Sequence, residues 1–187
     1  LDAILMAAVT ALYAVVAFVN LGSTKAPQTS WVSGQTGEQV TFDLGSVQTY
    51  KMEYYGGICN KIAFQVELSD DGEIWTQPVW AQYDQGKIFR WLIFVPADEN
   101  QNNIAAGSEA ALAEPGFNYY SALEKYPAQT SRYVRVTAQA EGLVLSEVGF
   151  IDSDGNPLPV TLAANASAPE NAQALIDEQD TVPPYPS

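Results

Sequence analysis

The stretch that decides the fold is Lys61 to Trp75, KIAFQVELSDDGEIW. Ile62, Phe64, Val66 and Leu68 alternate with Lys61, Gln65 and Glu67, and Ala63 suits either face. That period of two belongs to a strand with one face buried and one wet. Ser69-Asp70-Asp71-Gly72 then supplies a tight turn in which Gly72 can take a positive φ, and Trp75 returns the chain to apolar surroundings. The reading is a central strand of an antiparallel sheet, in a hairpin that ends on an aromatic anchor.

The same pattern recurs on both sides. Upstream, Val40, Phe42 and Leu44 alternate with Gln39, Thr41 and Asp43 in a strand closed by Gly45, and Thr49 to Tyr55 forms the next strand, ended by Gly56-Gly57. Downstream, Trp80 to Tyr83 and Lys87 to Val95 flank Asp84-Gln85-Gly86, which reads as a second hairpin stopped by Pro96. From Ala97 to Thr130 the periodicity fades: Ile104 to Glu114 is Ala-rich, and Phe117, Tyr119, Tyr120 and Tyr126 crowd one loop. Connections this long without structure of their own are uncommon in compact domains and are often functional. Strands resume at Arg132 to Ala138, with Val134 and Val136 inward, and at Leu143 to Ile151. After the turn Asp154-Gly155-Asn156-Pro157, Leu158 to Leu162 is the last strand. Roughly eight short strands, turn signals between them, no βαβ spacing and no internal repeat predict an all-β fold, an antiparallel jelly-roll β-sandwich.

No charge falls between Asp2 and Lys25, and Ala3 to Leu21 (AILMAAVTALYAVVAFVNL) is apolar apart from Thr10 and Asn20. A run of this length crosses a hydrocarbon core of ~30 Å as a helix. The alternative, a buried helix of a soluble domain, is disfavoured because such helices seldom stay apolar on every face for so many turns. A cleaved signal peptide is disfavoured by the lack of a basic n-region. The expected organisation is therefore a transmembrane helix over residues 1–22 and a short linker over 23–29. A sandwich follows over 30–162 with an insert at 97–130, then an acidic Pro/Ala-rich linker over 163–187 with a short helix at Asn171 to Ile176. The chain opens on Leu1 and closes on Tyr185-Pro186-Ser187, and both ends read as cuts from a larger polypeptide.

Charge and composition exclude whole classes of function. Acids outnumber bases 22 to 8, a net charge of -14, which leaves no basic footprint for nucleic acid. With no histidine and a single cysteine, Cys59, the segment has no catalytic triad, no zinc hydrolysis, no histidine acid/base chemistry and no internal disulfide. A glycosidase needs two carboxylates facing each other across a cleft, but among 22 acids a pair arises by chance. No activity is assigned to the segment itself.

Five motifs in order carry a resemblance. Trp31, Phe42-Asp43-Leu44-Gly45, Phe64 to Gly72 with Trp75, Arg132-Tyr133-Val134-Arg135-Val136 and Leu143 to Val148 fall as they do in discoidin domains, also called coagulation factor type C domains. The resemblance covers about Ser30 to Ile151. It implies a galactose-binding-like jelly roll that binds glycans, lipid head groups or proteins through loops at one end. The cysteine pair of the animal members is missing, and the Ala97 to Thr130 insert is extra. A second, shorter resemblance joins the apolar helix and Asn20-Leu21-Gly22-Ser23 to Leu175-Ile176-Asp177-Glu178-Gln179 and Val182 to Ser187. These flanks look like bacterial membrane proteins similar to the dolichyl-phosphate-mannose protein mannosyltransferases. That implies a parent glycosyltransferase in the cell membrane, with the β-domain on the extracytoplasmic side.

Sugar binding needs an aromatic face for the apolar side of a pyranose, with amides or carboxylates to orient its hydroxyls. Tyr55 and Asn60 lie at a strand-to-strand loop and offer both; Trp80, Tyr83, Phe117 and Tyr119 are the further ligand-binding candidates. The competing reading of each is packing beneath a long loop. Trp31, Trp75 and Tyr133 are read as core aromatics, and Arg132 and Arg135, either side of inward Val134, as partners of surface carboxylates. No cofactor is expected. Asp43, Asp70, Asp71, Asp152 and Asp154 raise a structural calcium, but Asp152-Ser153-Asp154-Gly155-Asn156 lacks the spacing of an EF-hand loop. The expected partners are a glycan or glycosylation acceptor, the membrane through the N-terminal helix, and the rest of the parent transferase. The rival function is a structural or protein-interaction domain that packs on the parent's membrane portion with no ligand of its own.

Overall fold

A computed structural model describes residues 2–18, 26–56, 64–81, 91–98, 128–164 and 169–178. Helix α1 spans Asp2–Phe18. The strands are β1 (Trp31–Val32), β2 (Gln39–Gly56), β3 (Phe64–Ser69), β4 (Val79–Ala81), β5 (Trp91–Ile93), β6 (Pro96–Ala97), β7 (Gln129–Ala138), β8 (Val144–Ile151) and β9 (Thr161–Leu162). Among the described residues every strand pairing is antiparallel, as the sequence predicts for an all-β sandwich.

The two layers share β2. Its first part, to Tyr50, pairs with β7 and β9, while Lys51 to Gly56 pairs with β8 and β5. One layer runs β1-β8-β2 with β5 on the far side of β2; the other continues β2-β7-β3-β4-β6. The expected strand closure at Gly45 is instead a bulge. The register with β7 shifts between Asp43 and Gln48, Gly45 takes φ 79°, and its N–H donates to Asp43 Oδ1 at 2.8 Å. Extra residues in one strand bend and twist it; β2 pairs with β7 on both sides of the bulge and changes layers further on, between Tyr50 and Lys51.

The interior is sealed as the alternation predicts. Phe64, Val66, Val134 and Val136 from one layer meet Trp31, Leu145, Val148 and Phe150 from the other, all 2% exposed or less. Phe150 sits edge-on to Phe42 and Tyr50, at 5.7 and 5.2 Å between centroids. The segment expected as a linker also reaches the core: a 3₁₀ turn at Ala172–Leu175 buries Ala172 and Leu175 against it.

Two expectations are corrected. The turn of the second hairpin, Asp84-Gln85-Gly86, lies outside the described residues; among the described residues its expected flanks do not pair with each other, since β4 pairs with β3 and β6, whereas β5 pairs with β2. Trp75 and Tyr133 are only half-buried and lie outside the core. Helix α1 has 17 residues, about 25 Å at 1.5 Å per residue. Among the described residues no helix is long and apolar enough to cross a membrane.

Candidate functional site

Tyr55 stands opposite Trp91 in the β2–β5 pair, with the rings edge-on at 5.8 Å. It is 7% exposed, and burial pushes its hydroxyl pKa up. Trp80 is half-buried on β4, opposite Gln65 of β3. The two aromatics therefore belong to different layers. Asn60, Tyr83, Phe117 and Tyr119 lie outside the described residues, as does Cys59.

Between β3 and β4 the chain builds a rigid loop on the wet face of its layer. Asp71 Oδ1 accepts from the N–H groups of Glu73 and Ile74 at 2.8 and 2.9 Å and from Ser69 Oγ at 3.1 Å. The backbone N–H groups, Ile74's first, hold its carboxyl below the usual carboxylate range. Gly72, at φ 78°, donates to Ser69 Oγ at 2.9 Å, and Trp75 Nε1 donates to the Gly72 carbonyl at 3.2 Å. Leu68 and Thr76 close the base, their bonds being Thr76 N–H to the Leu68 carbonyl and Leu68 N–H to Thr76 Oγ1.

Arg135 locks the loop to the sheet. Its guanidinium makes a two-pronged contact with Glu67, at 3.0 and 2.7 Å, and lies 4.0 Å from the centre of the Trp75 ring. Sequence reasoning found the arginine–carboxylate pairing for Arg135 and also for Arg132, which grips Asp43 at 2.8 and 2.9 Å. The Arg132 hydrogen bonds hold the Asp43 carboxyl below its ordinary range. What the sequence reading missed is that Trp75 faces outward to complete this stack.

A third feature ties the two ends of the domain together. Glu147, on β8 and fully buried, Asp177 and Glu178 each place an oxygen within 4.8 Å of the others. Thr29 Oγ1 donates to Asp177, the N–H groups of Gln28 and Thr29 donate to Glu178, and Ser30 bonds Ser146 at 2.9 Å. These carboxylates are the described residues able to ligate a hard cation such as calcium, which favours oxygen donors. Three of the five aspartates singled out from the sequence are engaged elsewhere: Asp43 on Arg132, Asp71 on its own loop, and Asp152 on the N–H groups of Asp154 and Asn156 at 2.8 Å. Those bonds, Asn156's first, lower the Asp152 pKa. No spacing rule finds the trio, because Glu147 is thirty residues from Asp177 along the chain.

The chain matches no protein-family model and no curated protein.

Proposed function

We propose that this chain is a membrane-tethered, discoidin-like jelly-roll module that binds glycan or a glycosylation acceptor on the extracytoplasmic side of a larger membrane glycosyltransferase. The single observation that carries the reading is α1. It has no polar side, and Ile4, Leu5, Met6, Val9 and Tyr13 are each between 59% and 75% exposed. A helix apolar all round calls for surroundings that are apolar all round. A helix lying flat at a membrane surface has one charged face, which α1 lacks, and the chain's net charge of -14 opposes adsorption to anionic lipid. In this reading the apolar Ala3 to Leu21 run sits in the hydrocarbon layer and the sandwich stands beyond it, with rigid loops and partly exposed aromatics suited to sugar rings.

Two measurements test the reading. In a density gradient, the full chain floats with phosphatidylcholine liposomes, and the double variant Met6→Lys/Val9→Lys stays below; a parent chain that also stays below refutes the tether. On a glycan array the liposome-bound chain retains at least one class of oligosaccharide, and an empty array refutes the binding role in favour of the protein-interaction reading.

A further inference from the structure

Beside the β3–β4 loop lies an open cleft of about 500 Å³, bordered by Leu68, Asp70, Ile74, Trp75, Thr130 and Ser131. That volume falls within the range of small-ligand sites, ~300–1,000 Å³. Its floor is fixed: the buried Tyr50 hydroxyl sits 2.6 Å from Ser131 Oγ, which itself donates to the Tyr133 carbonyl at 3.1 Å. Thr49 and Thr130 bond each other at 2.9 Å along one edge.

The two neighbouring aspartates divide the work. Asp71 is turned into the loop and spends its oxygens on Ser69, Glu73 and Ile74. Asp70, exposed at the cleft, makes no hydrogen bond or ion pair among the described residues. Its charge reaches the floor, adding to burial in pushing Tyr50 up to about 12. Ile74 stands 77% exposed at the rim, and Trp75 borders the same space. An outward carboxylate, hydroxyls, an aliphatic side chain and an indole are the groups that recognise a pyranose: carboxylate oxygens accept from adjacent hydroxyls, and apolar groups cover its C–H face. A cationic ligand fits less well, because a cation seeks an indole face and Arg135 already holds that position at 4.0 Å.

We propose that this cleft is a sugar-binding subsite, taking one pyranose unit of a neutral glycan. Asp70 accepts hydrogen bonds from two adjacent hydroxyls, and Ile74 and Trp75 border the ring's apolar face. The loop's internal bonds preorganise the site, so little ordering is lost on binding. The proposal rests on the glycan-binding reading above but assigns the ligand to a place distinct from Tyr55 and Trp80.

The test uses the full chain in a detergent without a sugar head group, titrated with neutral tetrasaccharides of mannose, galactose, xylose and N-acetylglucosamine. Binding is followed by the indole N–H resonances of the four tryptophans. The expected result is that one of these sugars moves the Trp75 resonance, and that Asp70→Ala weakens its binding about tenfold or more, the size of a lost charge-assisted bond. Thermal stability stays unchanged in Asp70→Ala, since Asp70 makes no hydrogen bond or ion pair among the described residues. Binding that persists at full strength in Asp70→Ala, or shifts confined to Trp80 or Trp91, overturns the cleft and leaves the glycan-binding role standing. If no tetrasaccharide moves any indole, both fall.

Discussion

Replacing Arg135 with methionine keeps the length of the side chain and removes two interactions together: the fork onto Glu67 and the cation over Trp75. The side chains of the pair are 22% and 14% accessible, so the contact lies between two regimes. Fully exposed pairs contribute ~0.2–1 kcal/mol, whereas stripping one partner from a buried pair costs ~3–5 kcal/mol. A cation on an aromatic face adds ~0.5–2 kcal/mol according to its desolvation. About 2 kcal/mol is the expected loss for Arg135→Met. Arg135→Lys should cost about half of that, because an ammonium keeps the charge and loses the planar fork. Urea unfolding followed by tryptophan fluorescence and far-UV circular dichroism measures both, with an unchanged m value showing that the same surface unfolds. Glu67→Gln completes a double-mutant cycle, in which the expected coupling is about 1 kcal/mol. The reasoning is refuted if Arg135→Met stays within about 0.3 kcal/mol of the parent, as an ordinary surface arginine would. It is refuted equally if Glu67→Gln costs as much in the Arg135→Met background as alone.

Phe150→Ala opens a cavity where Phe42 and Tyr50 meet the fully buried ring, and is expected to lower unfolding free energy by ~3–5 kcal/mol, read as a fall in urea midpoint. Gly72→Ala meets two penalties, a φ of +78° and a Tyr133 carbon 3.4 Å from the new Cβ, whereas Gly37→Ala at +85° meets open space. Both variants should lose ~1 kcal/mol for the left-handed backbone, and Gly72→Ala should lose measurably more by thermal melting. Because its partner Arg132 depresses the folded-state pKa of Asp43, the pairing stabilises the protein fully above the unfolded carboxyl value of about 3.9 and is lost as pH falls through the lower folded value. The stability gap between the parent and Asp43→Asn is therefore expected to be constant near pH 6 and to close below about pH 3.9, in urea titrations at each pH.

The elements that could be read from sequence were those whose burial repeats locally. Phe64 and Val66, or Val134 and Val136, announce an inner face because a strand's side chains alternate whatever lies across from them. The misreadings came where pairing, not periodicity, decides. Trp80 and Trp91 read as flanks of one hairpin, but Trp91 pairs with Tyr55 and Trp80 with Gln65, partners more than ten residues away in the chain. Gly45 looked like a terminus because a glycine at positive φ serves a strand end or a bulge equally well. At the candidate site, the Arg135–Glu67 contact followed from alternation on adjacent strands, since the two residues stand directly opposite. The trio of Glu147, Asp177 and Glu178 required knowing that the chain's last described segment returns to β8.

The outward turn of Trp75 and the existence of the cleft share one cause. A tight two-residue turn after Ser69 would have kept strict alternation and sent the indole into the core. The chain instead runs on through Pro78, and Thr76, not Trp75, bonds back to Leu68. The intervening residues stand out from the sheet, held by Asp71, Gly72 and Arg135. On the other side of the space, Tyr50 marks the place where β2 leaves β7 for β8: Tyr50 pairs with Gln129 and Lys51 with Ile151. Its buried hydroxyl, whose pKa burial pushes up to about 12, donates to Ser131 beneath the cleft. A loop too long to stay in the sheet thus faces the point at which a strand changes sheets. The hollow between them follows from both departures from regular pairing, and filling it would require undoing one of them.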